Sequence, residues 1–300
     1  MLYNEARGSL ATGCDLCLLG AKSVIFITGL CPLDCFYCPV GVDRIGKDVM
    51  YVNDVPVSSV EEIPHVVAKF ASTGAAITGG DPSVVAHRVR DVAYLLKKEF
   101  GDDFHIHMYT HILNLDGKRV GVIAASKVDE VRIHIISKEQ LRGREKYVKV
   151  LVASGKAVGV EVPALPGFEK QIAEAVNALV PYISFVNINE LDVSETNIAR
   201  LKALGYKIQG VNVMGSIEAA RKIADMIKDV PVHICTGKTK DLVQIGARIF
   251  RHAMYTAKPW ELVQDDGTVI FGEQGKHPRS PSAGRIRVKI SIGHKELEIA

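Results

Sequence analysis

Cys31, Cys35 and Cys38 stand in "GLCPLDCFYCPVG", residues 29–41, at the spacing CxxxCxxC. Thiolates this dense suit a soft metal, and three are one fewer than a closed tetrahedral site needs. Two readings follow. Cys14 and Cys17, a CxxC pair upstream, complete a four-thiolate zinc clamp with two of the three. Alternatively, the three hold an iron–sulfur cluster and leave one iron open to a non-protein ligand, which accounts better for the odd number. Pro32 and Pro39 stiffen the loop, while Phe36 and Tyr37 are placed to shield the metal or stack on a flat ligand. Disulfides are not expected. Five of the six cysteines precede a long apolar pattern unlike a short, loop-rich secreted scaffold.

The loop must be held by a folded body, and the composition supplies one. The chain has 300 residues, 47% hydrophobic and 24% charged, with a net charge of +3 that is too small to mark a nucleic-acid binder. No uncharged apolar run approaches ~18 residues, so no membrane span is expected. The first residues lack the apolar stretch of a secretory signal, and a cytoplasmic location is the expectation.

Strand-like runs lie at 21–28, 75–80, 104–110, 129–136, 157–162 and 183–189, with weaker ones at 206–213 and 230–235. Helical patterns fall between them, near 59–72, 83–99, 118–126, 139–153, 169–180, 195–204, 216–228 and 239–257. This alternation predicts an α/β fold, a (β/α) barrel, partial or complete, of six to eight units; an open doubly wound sheet is the alternative. Residues 1–20 form an N-terminal segment with the CxxC, 21–257 the barrel, and 258–300 a small β-rich C-terminal extension whose hairpin turns at Asp266-Gly267. The cysteine loop follows the first strand, at the rim where barrels carry their chemistry.

Residues two apart on a strand share a face. His105, His107 and Tyr109 lie together against Ile106 and Met108; Arg132 and His134 oppose Val131, Ile133 and Ile135. Glu161 opposes Val160 and Val162, and Asn187 and Asn189 oppose Val186 and Ile188. The apolar faces should meet helices, which sends the polar ones into the barrel. A ligand-binding lumen is expected, with His105, His107, Tyr109 and Glu161 as catalytic candidates. Internal pairing, Arg132 with Glu161 for instance, is the plainer alternative.

CxxxCxxC after the first strand, with an aromatic before the last cysteine, resembles the signature of the radical S-adenosylmethionine (SAM) superfamily. "TGGDP", Thr78 to Pro82, resembles that family's Gly-Gly-Glu-Pro stretch, with Asp81 in place of the longer glutamate. The resemblance spans roughly 21–236. It implies that Cys31, Cys35 and Cys38 ligate a [4Fe–4S] cluster whose fourth iron is chelated by SAM. Reduction then gives methionine and a 5′-deoxyadenosyl radical that abstracts a substrate hydrogen. It further implies that Gly79, Gly80 and Asp81 contact the methionyl amine. Tyr37, Arg132, His134, Glu161 and Asn189 stand where the family contacts the rest of SAM. The sixth-strand glycine motif of some members is absent. "GCDLCLLGAKSVIFITGLC", "RIGKDVMYVND" and "FHIHMYT" are similar to an archaeal group related to the pyruvate formate-lyase activating enzyme, a resemblance that brings no substrate; a small molecule and a peptide or protein both stay open, and a reductant such as ferredoxin or flavodoxin is expected.

Cys14, Cys17, His233 and Cys235 are left over, enough for a second metal, zinc or an auxiliary cluster, against inert buried thiols. Arg44, Lys47 and Asp48 either order the cysteine loop or form a solvated turn. "GKTKD" at 237–241 opens a helix that would suit an anion. Lys276, His277, Arg279, Arg285, Arg287 and Lys289 make the tail basic, the one hint of a tRNA-modifying role; solvated surface is the simpler reading.

Overall fold

The computed structural model describes residues 4–280, 282–285, 287–292 and 295–299. Its large sheet takes in β1 (Asn4–Arg7), β2 (Lys22–Phe26), β3 (Met50–Val52), β4 (Val55–Val57), β5 (Gly74–Thr78), β6 (His105–His111), β7 (Glu130–His134), β8 (Ala157–Pro163) and β9 (Phe185–Asn189). A two-stranded hairpin, β10 (Ile208–Gln209) and β11 (Asn212–Val213), precedes the last member, β12 (Val232–Cys235). The order is β1-β12-β9-β8-β7-β6-β5-β2-β3-β4. The seven strands from β2 to β12 run parallel and in sequence order, joined by helical crossovers, as a (β/α) barrel requires. Among the described residues no pairing joins β1 to β4, the two ends of this order.

The expected alternation is present. Ile106, Met108, Val131, Ile133, Val160, Val162, Val186 and Ile188 are all fully or almost fully buried in one continuous apolar core. Helices α3 (Ala86–Phe100), α4 (Gly117–Ala124), α6 (Glu145–Ala153), α7 (Glu169–Asn177) and α9 (Ser216–Met226) add their own apolar stripes to that core; α1 (Thr12–Leu18), α2 (Glu62–Ala68), α5 (Lys138–Leu141), α8 (Ile198–Ala203) and α10 (Gly246–Thr256) complete the set.

Four features depart from the sequence reading. The run 206–213 is the small hairpin rather than a barrel strand, because Gly210, at φ +62°, turns the chain midway. The helix expected over 139–153 breaks into α5 and α6 at Gly143, also at positive φ. Residues 239–257 begin with a π-helical stretch, Thr239–Ile245, before α10. Finally, the N-terminal segment is built into the body: β1 adds antiparallel to β12, and α1 packs against β2, β5 and β6. Beyond α10, β13 (Leu262–Val263), β14 (Val269–Phe271), β15 (Arg287–Ile292) and β16 (Lys295–Ile299) form a separate antiparallel sheet, with the hairpin turn at Asp266-Gly267.

Candidate active site

The polar face of the sheet has two levels, and they behave differently. The lower level is an ion network. Arg132, 2% exposed, donates from Nε to Glu130 (2.6 Å), from Nη1 to Glu161 (2.8 Å) and from Nη2 to the Cys14 sulfur (3.3 Å). Glu161 also accepts from Asn189 (2.7 Å), and Asn189 from Asn187 (3.2 Å). Burial pushes the Glu161 carboxyl up, but Arg132 and Asn189 more than offset this and hold it below its ordinary value. Lys22, fully buried on β2, donates to His105 Nδ1 (2.6 Å) and to the carbonyls of His105 and Ala75 (2.8 and 3.1 Å). Burial lowers its pKa to about 7, and burial beside Lys22 lowers that of His105 to about 4. His107 Nε2 meets the Tyr109 hydroxyl at 3.0 Å.

Helix α1 seals this level from below. The Gly13 amide donates to Glu130 (3.1 Å), and a Cβ at Gly13 would stand 2.5 Å from Arg132 Nη2 and 2.6 Å from His107 Nδ1. Only glycine lets the helix approach so closely. The charged groups of the lower lumen are therefore internally paired, while among the described residues His107 Nδ1 and Asn187 Oδ1 are buried without a hydrogen-bond partner, and the plainer alternative holds for Arg132 and Glu161. Arg132, expected at the cofactor, has its donors committed to Glu130, Glu161 and Cys14.

Among the described residues no three His, Cys, Asp or Glu side chains gather as one ion would need. Cys14 lies against Arg132, and burial pushes its pKa up to about 12. Cys235 ends β12 with its sulfur 3.5 Å from Gln244 Nε2. The start of the "GKTKD" helix is taken by the chain's own acids: Gly237 N donates to Glu190 (2.7 Å), and Lys240 pairs with Asp192.

The upper level lies at the C-terminal ends of the strands. The Cys31–Cys38 loop leaves β2 there, and its neck is closed by the chain's own bonds. Gly29 N donates to the Lys47 carbonyl, Gly46 N to that of Gly29, and Asp48 takes Thr28 Oγ1 (2.8 Å) and both Arg88 terminal nitrogens (2.6 and 2.8 Å). The segment after the loop therefore orders it. Gly80 N and Asp81 N donate to the carbonyls of Thr28 and Leu30 (2.7 and 2.9 Å). A Cβ at Gly79 would stand 2.3 Å from the Thr28 oxygen, and one at Gly80 2.5 Å from that of Leu30. The two glycines let the β5 turn lie directly on the root of the cysteine loop.

Asp81 is a buried hub. Its carboxylate accepts from Ser83 N and Oγ, Thr110 Oγ1, the His111 amide and Asn114 Nδ2, at 2.6–3.0 Å. Asn114 Nδ2 also lies 3.8 Å from the Cys31 sulfur. Tyr37 donates to His134 Nε2 (2.8 Å), because His134 Nδ1 must donate to the Glu161 carbonyl (3.1 Å). Burial lowers the His134 pKa and raises that of Tyr37, so this pair is neutral. His111, whose ring lies 4.9 Å from that of His134, accepts at Nδ1 from Leu113 N and so carries its proton on Nε2. His111, Glu130 and Lys22 were missed from sequence. His111 and Glu130 lie on the same alternation as the residues chosen: His111 is one residue past the run 104–110, and Glu130 is inside the run 129–136, two residues before Arg132.

The three thiols fit an iron cluster. Burial, then in part the neighbouring thiols, raises the pKa of Cys31 and Cys35. Arg200, which feels Cys35 and Cys38, is committed to Asp34 (2.7 Å). Cys31 and Cys35 are thus held as neutral thiols, and iron would supply the positive charge that lets them ionise.

Comparison with known proteins agrees. Residues 25–137 match the Radical SAM superfamily. A Methanocaldococcus jannaschii protein, provisionally named a glycyl-radical enzyme activating enzyme, is 35% identical over 279 residues, 89% of this chain and 74% of that protein. Among solved structures, Streptococcus suis SuiB aligns over 72% of this chain at 15% identity and a TM-score of 0.49, and the chain spans 49% of its length. Methylornithine synthase aligns over 74% of this chain and 72% of its own at 11% identity and a TM-score of 0.46. The extent of the match to the M. jannaschii protein fixes the assignment: the chain belongs to the radical SAM superfamily, enzymes that use a [4Fe–4S] cluster and SAM.

Proposed function

We propose that the chain installs a radical on a partner protein by removing a hydrogen atom from one of its glycines, with a low-potential carrier such as ferredoxin or flavodoxin as reductant. The substrate reading rests on the likeness to the M. jannaschii protein. The site reading rests on one observation: three thiols on a loop clamped over the Gly79-Gly80-Asp81 turn at the barrel's rim. Cys31, Cys35 and Cys38 hold the cluster. When bound, cluster and SAM supply a 5′-deoxyadenosyl radical able to take hydrogen from carbon.

The chain's own residues shape what surrounds that chemistry. Asp81 fixes Asn114, which directs an amide N–H at the Cys31 sulfur. The backbone at Gly79 and Gly80 sets the distance between the loop and the β5 turn. Tyr37, His134 and His111 present neutral donors and acceptors beside it, and Asn189 with Glu161 forms the surface below. With α1 packed over the floor, the rim that carries the cysteine loop is the end at which a polypeptide substrate would be met.

The test is anaerobic reconstitution followed by SAM and dithionite. Formation of 5′-deoxyadenosine supports the site. A glycyl doublet in the electron paramagnetic resonance (EPR) spectrum of an added glycyl-radical enzyme supports the substrate. SAM cleavage with no doublet on any such enzyme of the host rejects the substrate and leaves the site reading standing.

A further inference from the structure

The cysteine loop does little to hold its own shape. Pro32 and Pro39 remove two backbone donors. Within residues 31–40 the described backbone bonds number one, from Cys38 N to the Cys35 carbonyl (3.1 Å). Backbone carbonyls that are withdrawn from water need partners from somewhere. Here they come from a stretch 160 residues downstream, between β9 and α8.

Thr196 Oγ1 lies 2.8 Å from the Val40 carbonyl and 3.2 Å from that of Cys38. Its single proton is shared between them, while the Ser194 hydroxyl, 2.8 Å away, donates to it. Asn197 is 1% exposed and donates from Nδ2 to the carbonyls of Tyr37 (3.1 Å) and Asp192 (3.0 Å), while its Oδ1 accepts from Ser194 N (2.8 Å). Glu195 accepts from Val42 N (3.0 Å), and Arg200 grips Asp34. Four consecutive or near-consecutive side chains thus fasten the loop from Asp34 to Val42.

We propose that residues 194–200 form a strap that positions the cluster-binding loop, with Thr196 and Asn197 as the positioning residues. Neither touches a thiol. They act through the peptide groups that aim Cys38 and Tyr37, and so set the orientation of one ligand and of the aromatic beside it. Hydrogen bonding and ligand orientation around a cluster shift its potential and spectrum. The strap should therefore tune the cluster without binding it. This inference rests on Cys31, Cys35 and Cys38 being the ligands, and the test separates the two claims.

The variants are Thr196→Val, which keeps the shape and loses the hydroxyl, Thr196→Ser, which keeps the hydroxyl, and Asn197→Asp, which keeps the Ser194 cap and turns the donor into an acceptor. In the metal-free full-length protein, Thr196→Val and Asn197→Asp should speed amide hydrogen exchange across residues 35–42 by about 5- to 10-fold, the effect of one lost hydrogen bond. Thr196→Ser should exchange like the parent. After reconstitution, the Val and Asp variants should hold parental iron but show shifted g-values and midpoint potential in the reduced cluster, with Ser again parental. Parental exchange and spectra in Thr196→Val overturn the strap. So does a Thr196→Ser variant as perturbed as Thr196→Val, which would trace the effect to packing. Iron retained in full by a Cys31, Cys35, Cys38 triple-alanine variant overturns the ligand reading, while the exchange result on metal-free protein still judges the strap.

Discussion

The two ends of one set of strands carry similar residue types and put them to opposite uses. At the floor, Arg132 answers Glu130 and Glu161, Lys22 meets His105, and α1 closes over them. At the rim, the three thiols share one loop, the Arg200 guanidinium that feels two of them is committed to Asp34, and the backbone that carries them is held from outside the loop. A polar strand face therefore does not by itself mark a binding site. What marks one is whether the protein's own groups already meet its charges. Burying ions is tolerated at the floor because each has a partner and further hydrogen bonds. The rim leaves its charge balance to be completed by a ligand.

If that contrast is right, the same kind of substitution has different consequences at the two levels. The largest effect belongs to the rim. Alanine at Cys31, Cys35 or Cys38 should abolish 5′-deoxyadenosine formation and strip the iron, yet leave the unfolding curve of the metal-free protein near the parent's, since these side chains are exposed or half-buried. Iron analysis, product assay and denaturation read the three quantities. Next comes the floor. Arg132→Met strands two carboxylates in a buried site and should cost about 3–5 kcal/mol. Adding Glu130→Gln and Glu161→Gln removes the stranded charges and should recover most of that in urea unfolding. Recovered stability without recovered SAM cleavage would show that the floor serves the chemistry too, and the contrast would blur.

How legible was this from sequence? The parallel order, the faces of β6 to β9 and the cysteine rim were all readable, because period-two alternation and CxxxCxxC are local signals. The split of the lumen into two levels was not. It depends on which residue of one strand stands beside which of the next, as in Tyr109 beside Arg132 and His111 beside His134, and alternation carries no register between strands. The role of the N-terminus was hidden for a similar reason: nothing near Gly13 announces that Arg132, 119 positions later in the numbering, fills the space of its missing side chain. The strap escaped notice because Thr196 and Asn197 are ordinary loop residues whose partners are backbone carbonyls far off in sequence. Gly79 and Gly80 were expected against the methionyl amine, and a Cβ at either would also meet the chain's own Thr28 and Leu30 carbonyls, which no local signal announces.

A smaller effect is expected where α1 meets the ladder. Gly13→Val places carbon where Arg132 Nη2, His107 Nδ1 and Glu130 Oε1 already lie within 2.7 Å. Overpacking of this kind costs about 1–3 kcal/mol. The folded fraction, assayed for SAM cleavage, should remain within a few-fold of the parent, because the displaced helix is at the opposite end from the thiols. Lost activity at full stability would instead tie the floor to the site.

The smallest effect is in pH. His105 is held neutral, its pKa pushed down to about 4 by burial and by Lys22, with Glu130 acting against them. In the unfolded chain the same group titrates near 6.5. Between those values the unfolded state binds the proton and the folded state does not, so stability is fully present above about pH 6.5 and is lost as pH falls toward 4. His111 and His233, lowered by burial to about 3 and about 4, add to the loss in the same direction. His105→Asn can keep an acceptor for Lys22 but no longer titrates. Denaturant unfolding from pH 7 to 4.5 should therefore show a decline shallower than the parent's by about 1–2 kcal/mol. An unchanged decline would mean that His105 is already protonated at neutral pH, paired with Glu130 as an ion rather than as a neutral donor, and the charge balance of the floor would have to be redrawn around it.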